Sequence, residues 1–179
     1  MSEDLEKRDD TGRTPLIRAC QDGDIEQVQR LIDKGANIEA KDRCGWTPLA
    51  WVSLKGHESV LRLLIDKGVR VEDWYVQMAA QGGHASIVKL LAKEGANISC
   101  YRDGSTALIW ACGNGHVDVV DCLLSLGVDT EVKDESGMTA LMWACGEGMI
   151  DVVDRLLAAG CNVNAQECGG FTADRKSVV

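Results

Sequence analysis

Proline, phenylalanine and histidine are all rare in the sequence. Among its 179 residues are two prolines, one phenylalanine and three histidines. No stretch approaches the roughly 18 consecutive apolar residues that a membrane-spanning helix requires. The acidic first residues, 1–9, also lack the apolar core of a secretory signal. The sequence therefore predicts a chain with neither a membrane span nor a secretory leader.

Positive charge is also scarce. The chain has 19 Lys and Arg residues against 28 Asp and Glu, which gives a formal net charge of −9. An acidic chain gains nothing from counterion release on DNA or RNA, and anionic lipid headgroups repel it. The composition therefore predicts neither a nucleic-acid nor a membrane partner, and it favours a protein or peptide partner with a basic patch.

The motifs of metal, nucleotide and catalytic sites are missing. The eight cysteines form no C-x-x-C pair, and neither G-x-G-x-x-G nor G-K-[ST] occurs. Cys112 and His116 are four positions apart, but the glycines between them give no reason to expect a shared helical face. We predict no cofactor, no metal and no enzymatic activity, with a Cys/His hydrolase as a remote alternative.

The cysteines are expected to behave as small buried apolar residues in a reducing compartment. This expectation predicts a cytoplasmic or nuclear location.

Repeated glycines are what the sequence has in abundance. Tripeptides such as Thr14-Pro15-Leu16 recur as Thr47-Pro48-Leu49, 33 residues later. An array of repeated units is predicted. Five pairs of glycines are each 12 positions apart: Gly23 and Gly35, Gly56 and Gly68, Gly83 and Gly95, Gly115 and Gly127, and Gly148 and Gly160.

Each glycine pair encloses an apolar helix pattern. Val28, Leu31 and Ile32 of the first unit are three and four positions apart, which places them on one helical face. The closing glycine suits the left-handed conformation that ends a helix. A shorter apolar pattern precedes each opening glycine, and threonine at its start is a good N-cap. Each unit is predicted to be a helix pair that buries its apolar face only by stacking on its neighbours.

Four segments resemble the ankyrin repeat, and the resemblance covers roughly residues 10–173: Thr14-Pro15-Leu16, Gly56-His57, Leu64-Ile65-Asp66-Lys67-Gly68 and Gly95-Ala96-Asn97-Ile98. The resemblance implies an all-α repeat solenoid, an ankyrin-type stack of helix-turn-helix units. Short β-hairpin fingers would project from this stack, and the inner helices and fingers would line a concave groove. The predicted segments are an acidic leader 1–9, repeats 10–41, 42–71, 72–101 (shortened), 102–133 and 134–166, a partial repeat 167–173, and a polar tail 174–179.

The third unit is predicted to lack most of its finger. Elsewhere the closing glycine and the first apolar residue of the next inner helix are 13 or 14 positions apart, but Gly68 and Val76 are only 8 apart. One interpretation is a tolerated deletion in a connecting segment. The other is a gap in the row of fingers that leaves Trp74 and Tyr75 exposed as anchors for a partner.

Three of the five tryptophans share one position in the inner helix. Trp51, Trp110 and Trp143 occupy it in three units, and Arg18 and Met78 occupy it in two others. One interpretation is that the indoles pad the contact between adjacent inner helices. The other is that they form a row of contacts for a partner, and half-exposed rings would serve both purposes.

The resemblance places a second set of residues at the fingertips, where relatives commonly contact partners. A solvated tip gives no reason for apolar side chains, so Trp46, Met138 and Phe171 are predicted partner contacts. Arg13 and Ser105 hold the same position in other units. The charged rim residues are predicted to set orientation and association rate more than affinity: Arg13, Lys55, Asp103 and Glu147.

The C-terminal residues support two smaller predictions. Asp174 and Arg175 occupy an apolar register position of the repeat and would cap the stack with polar groups. Ser177, Val178 and Val179 match the weak pattern of a segment that binds a PDZ-type groove, or they are the frayed end of the cap.

The sequence as a whole predicts a non-catalytic protein-protein interaction module that binds through its concave groove and fingertips. An inhibitory or adaptor subunit of a signalling or ubiquitin-ligase complex is the alternative, and the sequence does not choose between them. The predicted partner-binding residues are Arg13, Trp46, Trp51, Trp74, Tyr75, Trp110, Met138, Trp143 and Phe171.

Overall fold

Ten short helices follow one another along the part of the chain that the structure describes, residues 4–170 and 172 of a computed structural model. Phe171, the predicted cap and the tail residues Ser177, Val178 and Val179 lie outside that part. No helix within it combines the length and the apolar character needed to cross a membrane. The helices are α1 (Pro15–Asp22), α2 (Ile25–Asp33), α3 (Pro48–Lys55), α4 (Glu58–Asp66), α5 (Tyr75–Gly82), α6 (Ala85–Lys93), α7 (Ala107–Gly113), α8 (Val117–Ser125), α9 (Ala140–Gly146) and α10 (Ile150–Ala158).

Threonine starts four of the five odd-numbered, inner helices. The Thr47 side chain accepts a hydrogen bond from the Ala50 N–H at 3.2 Å, and this satisfies a backbone donor that the helix itself leaves unpaired. Thr14, Thr106 and Thr139 do the same at the start of α1, α7 and α9. Helix α5 is the exception, because Trp74 precedes it and provides no capping hydrogen bond.

The helices stack in two layers. Each inner helix packs against the next inner helix and against the even-numbered, outer helix that follows it in the chain. Burying one aliphatic side chain stabilises the fold by about 1.5–3 kcal/mol, so neighbouring units provide the core that a single pair lacks. The predicted all-α repeat stack is confirmed. Its fully buried aliphatic residues include Leu16, Leu31, Leu49, Leu61, Leu64, Ile87, Leu91, Leu123 and Leu156.

The connections between units end in tight turns. At the second unit, the Asp42 N–H donates to the Trp46 carbonyl and the Gly45 N–H donates to the Asp42 carbonyl, both at 3.0 Å. Equivalent turns lie at residues 9–13 and 134–138. Arg102 and Ser105 form an isolated antiparallel bridge, and no longer strand lies within the described residues. The predicted fingers are therefore turn-ended connections with little β-structure.

The connection before the third unit has no such turn, and two aromatic rings pack there. Tyr75 is fully buried and Trp74 is 8% exposed, with their ring centroids 4.7 Å apart. The Tyr75 hydroxyl lies 3.0 Å from the Thr47 hydroxyl of the preceding unit. The prediction that Trp74 and Tyr75 are exposed anchors is wrong, because the short connection starts α5 against α3 and both rings enter the core.

Gln77 links the third unit to the turn of the fourth. It is 3% exposed, and its Nε2 donates to the carbonyls of Ser105 at 2.9 Å and Cys100 at 3.2 Å. In the first two units, the turns bond each other directly, with the Arg43 N–H donating to the Thr11 carbonyl at 3.1 Å. A buried side-chain amide thus provides hydrogen bonds between units next to the missing finger.

The three histidines connect neighbouring units. The Nε2 atoms of His57, His84 and His116 each lie 3.0 Å from a backbone carbonyl in the inner helix of the preceding unit. The ring of His84 also occupies the space that a Cβ on Gly56 would need, at 2.5 Å. Gly56 has φ 81° as well, so glycine is required there by both backbone and space. The histidines are structural residues of the stack.

Because burial lowers the pKa of His84, the stability of the fold should depend on pH near neutrality. In the unfolded chain the pKa of His84 is about 6.5, so below that pH the unfolded chain binds a proton more readily than the folded chain does. The contribution of His84 to stability is therefore fully present above about pH 6.5 and declines as the pH falls below it. We expect a lower urea midpoint at about pH 5.5 than at about pH 7.5. His84→Gln keeps an N–H donor but cannot titrate, and it should show a smaller difference. An equal pH dependence in both proteins would contradict this role for His84.

Candidate functional site

The inner helices and the turns at residues 9–13, 42–46, 102–105 and 134–138 form one face of the stack. Trp51, Trp110 and Trp143 lie on this face, partly exposed and packed against the core. Both interpretations of these rings therefore fit the structure, since one edge of an indole can pad neighbouring helices while the other faces solvent. Contact with a partner stays a prediction for all three.

Two of these indoles are fixed by an aspartate in the turn of the same unit. Trp51 Nε1 donates to Asp42 Oδ2 at 3.0 Å, and Trp143 Nε1 donates to Asp134 Oδ2 at 2.7 Å. The Oδ1 atoms of the same aspartates accept backbone N–H groups of their turns at 2.8–2.9 Å. One carboxylate thus sets both the turn and the ring position. Sequence reasoning missed this pair, although its signal is an aspartate nine residues before tryptophan in two units.

In the first two units, an arginine of the chain covers the indole. The guanidinium carbon of Arg13 lies 4.5 Å from the ring centre of Trp51, within cation–π range. The Trp46 ring packs on the same indole, with centroids 4.8 Å apart and planes inclined by 53°. The structure therefore brings the predicted tip residues Arg13 and Trp46 onto Trp51 in one cluster.

A second arginine covers a ring at the third unit. The guanidinium carbon of Arg102 lies 4.7 Å from the ring centre of Trp74. Arg102 Nε also lies 3.3 Å from Asp103 Oδ2, in an exposed ion pair that contributes little to stability. Arg102 is thus already engaged with its own unit and with the ring behind it.

The fourth and fifth units enclose an open cleft of about 490 Å³. Trp110 and Trp143 form its apolar part, together with Ile109. Four carboxylates line the same cleft, and none of its lining residues is Lys, Arg or His. Such a cleft offers aromatic faces and negative charge together, which is the environment that a positively charged side chain prefers. The carboxylates belong to Asp103, Asp134, Glu135 and Glu147.

Two predicted tip positions are not exposed. Met138 is 9% exposed and belongs to the core, so the expectation that it is an apolar residue on a solvated tip is wrong. Ser105 is also buried, at 8%. Of the apolar tip residues, Trp46 remains partly exposed.

The geometry does not favour the Cys/His pair as a nucleophilic site. Burial raises the pKa of the Cys112 thiol to about 12, whereas a nucleophilic cysteine acts as the thiolate. His116 Nε2 is engaged with the Gln81 carbonyl at 3.0 Å. Within residues 4–170 and 172, no group of three or more His, Cys, Asp or Glu side chains is placed to hold a metal ion.

Comparison with known proteins gives one family and several relatives. The profile of a family described as ankyrin repeats (3 copies) matches residues 1–73 and 76–167. The 26S proteasome non-ATPase regulatory subunit 10 of Mus musculus is 41% identical over 49 residues, which is 27% of this chain and 21% of that protein. The Rattus norvegicus and Homo sapiens proteins of the same name are each 50% identical over 36 residues, 20% of this chain and 16% of theirs.

The fold itself matches a solved structure over almost the whole chain. The crystal structure of the human ASB11 ankyrin repeat domain superposes with a TM-score of 0.90 and 22% sequence identity. The match covers 99% of this chain and 82% of that chain. At this identity the likeness shows a common fold.

Proposed function

The chain belongs to the ankyrin repeat family, whose repeats typically form non-catalytic modules that bind proteins, and we propose that it binds a partner through the cleft between its fourth and fifth units. The partner would present a segment with positive charge. The single observation that carries this proposal is the cleft itself, with two indoles, four carboxylates and no basic side chain.

The rest of the chain supports the sign of the charge. A net charge of −9 repels acidic partners and attracts basic ones over distances up to the Debye length, about 8 Å at physiological salt. Asp103, Glu135 and Glu147 are exposed at the edge of the cleft. Exposed rim charges act mainly on the association rate and the orientation of a partner, while the indoles provide buried area.

Selection of peptides from a random display library would test the proposal. We expect the purified chain to enrich peptides rich in Arg and Lys. Glu135→Lys together with Glu147→Lys should weaken the binding of these peptides by about tenfold or more, since like charges across an interface are strongly unfavourable. Asp66→Lys with Glu94→Lys is the matched control, because it makes the same charge change at exposed ends of outer helices. This control should bind within about twofold of the original chain.

Two results would contradict the proposal. One is equal weakening by both pairs of substitutions, which would indicate attraction to the overall charge without a site. The other is an association rate that does not fall as salt is raised, since steering by exposed charge is screened.

A role as an adaptor or inhibitory subunit is the second candidate function. It is favoured by the similarity to the 26S proteasome non-ATPase regulatory subunit 10, whose name describes a subunit of a larger assembly. The match spans only 16–21% of the length of those relatives. A cytoplasmic or nuclear location is proposed from the expectation that the cysteines stay reduced.

A further inference from the structure

An aspartate holds a tryptophan ring in the same way at two places on the inner helices and their turns, one in the second unit and one in the fifth. At the first, Trp51 is held by Asp42 in its own turn; at the second, Trp143 is held by Asp134 in the same way. The tip residue of the preceding unit stands 38 positions before each indole, and it is Arg13 in the first place and Ser105 in the second. The two places therefore differ in the residue that the chain itself contributes.

Arg13 shows which side chain can stack on a tryptophan ring that is held in this way. Its guanidinium lies over the Trp51 ring at 4.5 Å, and the aspartate that holds this ring is 8% exposed. A guanidinium stacks on an indole because it is planar and weakly hydrated, which distinguishes it from the compact ammonium of lysine. The fold therefore contains an internal example of the complex.

At the second place the corresponding position is open. Ser105 is too short to cover an indole, and both it and Trp143 line the cleft. Asp134 is correspondingly more exposed than its counterpart Asp42. Arg102, which pairs with Ser105 in the same turn, lies over Trp74 and forms an ion pair with Asp103, so it does not fill the gap.

We infer that the partner fills this place with an arginine side chain, stacked on Trp143 as Arg13 is stacked on Trp51. This inference rests on the proposed function and specifies the chemistry of its site. Asp134, Glu135 and Glu147 surround the position and complement the positive charge. The partner is therefore a protein segment with a protruding arginine.

A small-molecule titration followed by NMR tests the inference directly. The probe is the N-acetyl amide of arginine, and the control probe is the same derivative of citrulline, which has nearly the same shape but no charge. The indole N–H signals of the five tryptophans, assigned with single Trp→Phe variants, report the site of binding. We expect the arginine probe to shift the signal of Trp143, and the signal of Trp51 to stay in place because Arg13 covers that ring.

Two reciprocal variants make the test specific. Ser105→Arg should place a guanidinium of the chain itself over Trp143. The affinity of the probe for this ring should then fall by about tenfold, which corresponds to the loss of one well-placed cation–π contact. Arg13→Ser should uncover Trp51, so that the arginine probe also shifts the indole N–H signal of Trp51. The far-ultraviolet circular dichroism of each variant shows whether the helices remain intact.

Each outcome separates this inference from the proposed function. The arginine site would be overturned if citrulline shifted the Trp143 signal as much as arginine does. It would also be overturned if the Trp143 signal stayed in place while the probe saturated the shift of another indole signal. If peptides selected on the chain bind Ser105→Arg as tightly as the original chain but fail on Glu135→Lys with Glu147→Lys, the cleft binds a partner without an arginine on Trp143. If the selected peptides ignore both changes, the proposed function fails as well.

Discussion

Gly82→Ala is expected to destabilise the fold by about 3 kcal/mol or more, although alanine normally strengthens a helix by up to about 1 kcal/mol. Gly82 is the last residue of α5. A Cβ there would clash with the Leu54 carbonyl oxygen of the preceding inner helix and would lie 2.7 Å from the His84 ring. The same carbonyl is the partner of His84 Nε2, so relief of the clash would break that hydrogen bond. Urea unfolding followed by circular dichroism would measure the change.

Gly146→Ala is the matched control for this prediction. Gly146 is the last residue of α9, the inner helix of the fifth unit, and a Cβ on it would meet no atom within 4 Å. Alanine should therefore be neutral there or stabilise the fold by up to about 1 kcal/mol. If both substitutions lowered the urea midpoint by the same amount, close approach between α3 and α5 would not be the reason for glycine at position 82.

The helix pairs and their stacking were predictable because they depend on local rules that repeat. The 12-residue glycine spacing and the apolar offsets of three and four are visible within one unit, and five copies reinforce each other. The tryptophan position in the inner helix was predictable for the same reason. Repetition turns a weak local signal into a firm one.

What could not be predicted depends on contacts between units. Tyr75 belongs to the core because the short connection brings it to Thr47, and neither residue alone indicates this. Met138 stands at a turn but packs inward. The stack of Arg13 on Trp51 joins residues from two units, so its counterpart at the fifth unit emerges only when the two places are compared in the structure.

Because Tyr75 is buried, Tyr75→Ala is expected to lower the free energy of unfolding by about 3–5 kcal/mol. The ring is fully buried and packs against Trp74 at 4.7 Å between centroids, so its removal leaves a cavity in place of a side chain. The other units have proline or alanine at this position and fill their connections with a turn instead. Chemical denaturation of the variant and the original chain would measure the loss.

Tyr75→Phe separates the ring from its hydroxyl. Burial raises the pKa of Tyr75 to about 12, so the hydroxyl stays protonated and keeps its hydrogen bond to Thr47 at neutral pH. Removing that single bond should cost about 1 kcal/mol, far less than removing the ring. An exposed anchor would behave differently, since both substitutions would then change stability by less than about 0.5 kcal/mol. A large loss for alanine with a small one for phenylalanine would therefore show that the ring replaces the missing finger as packing between the second and third units.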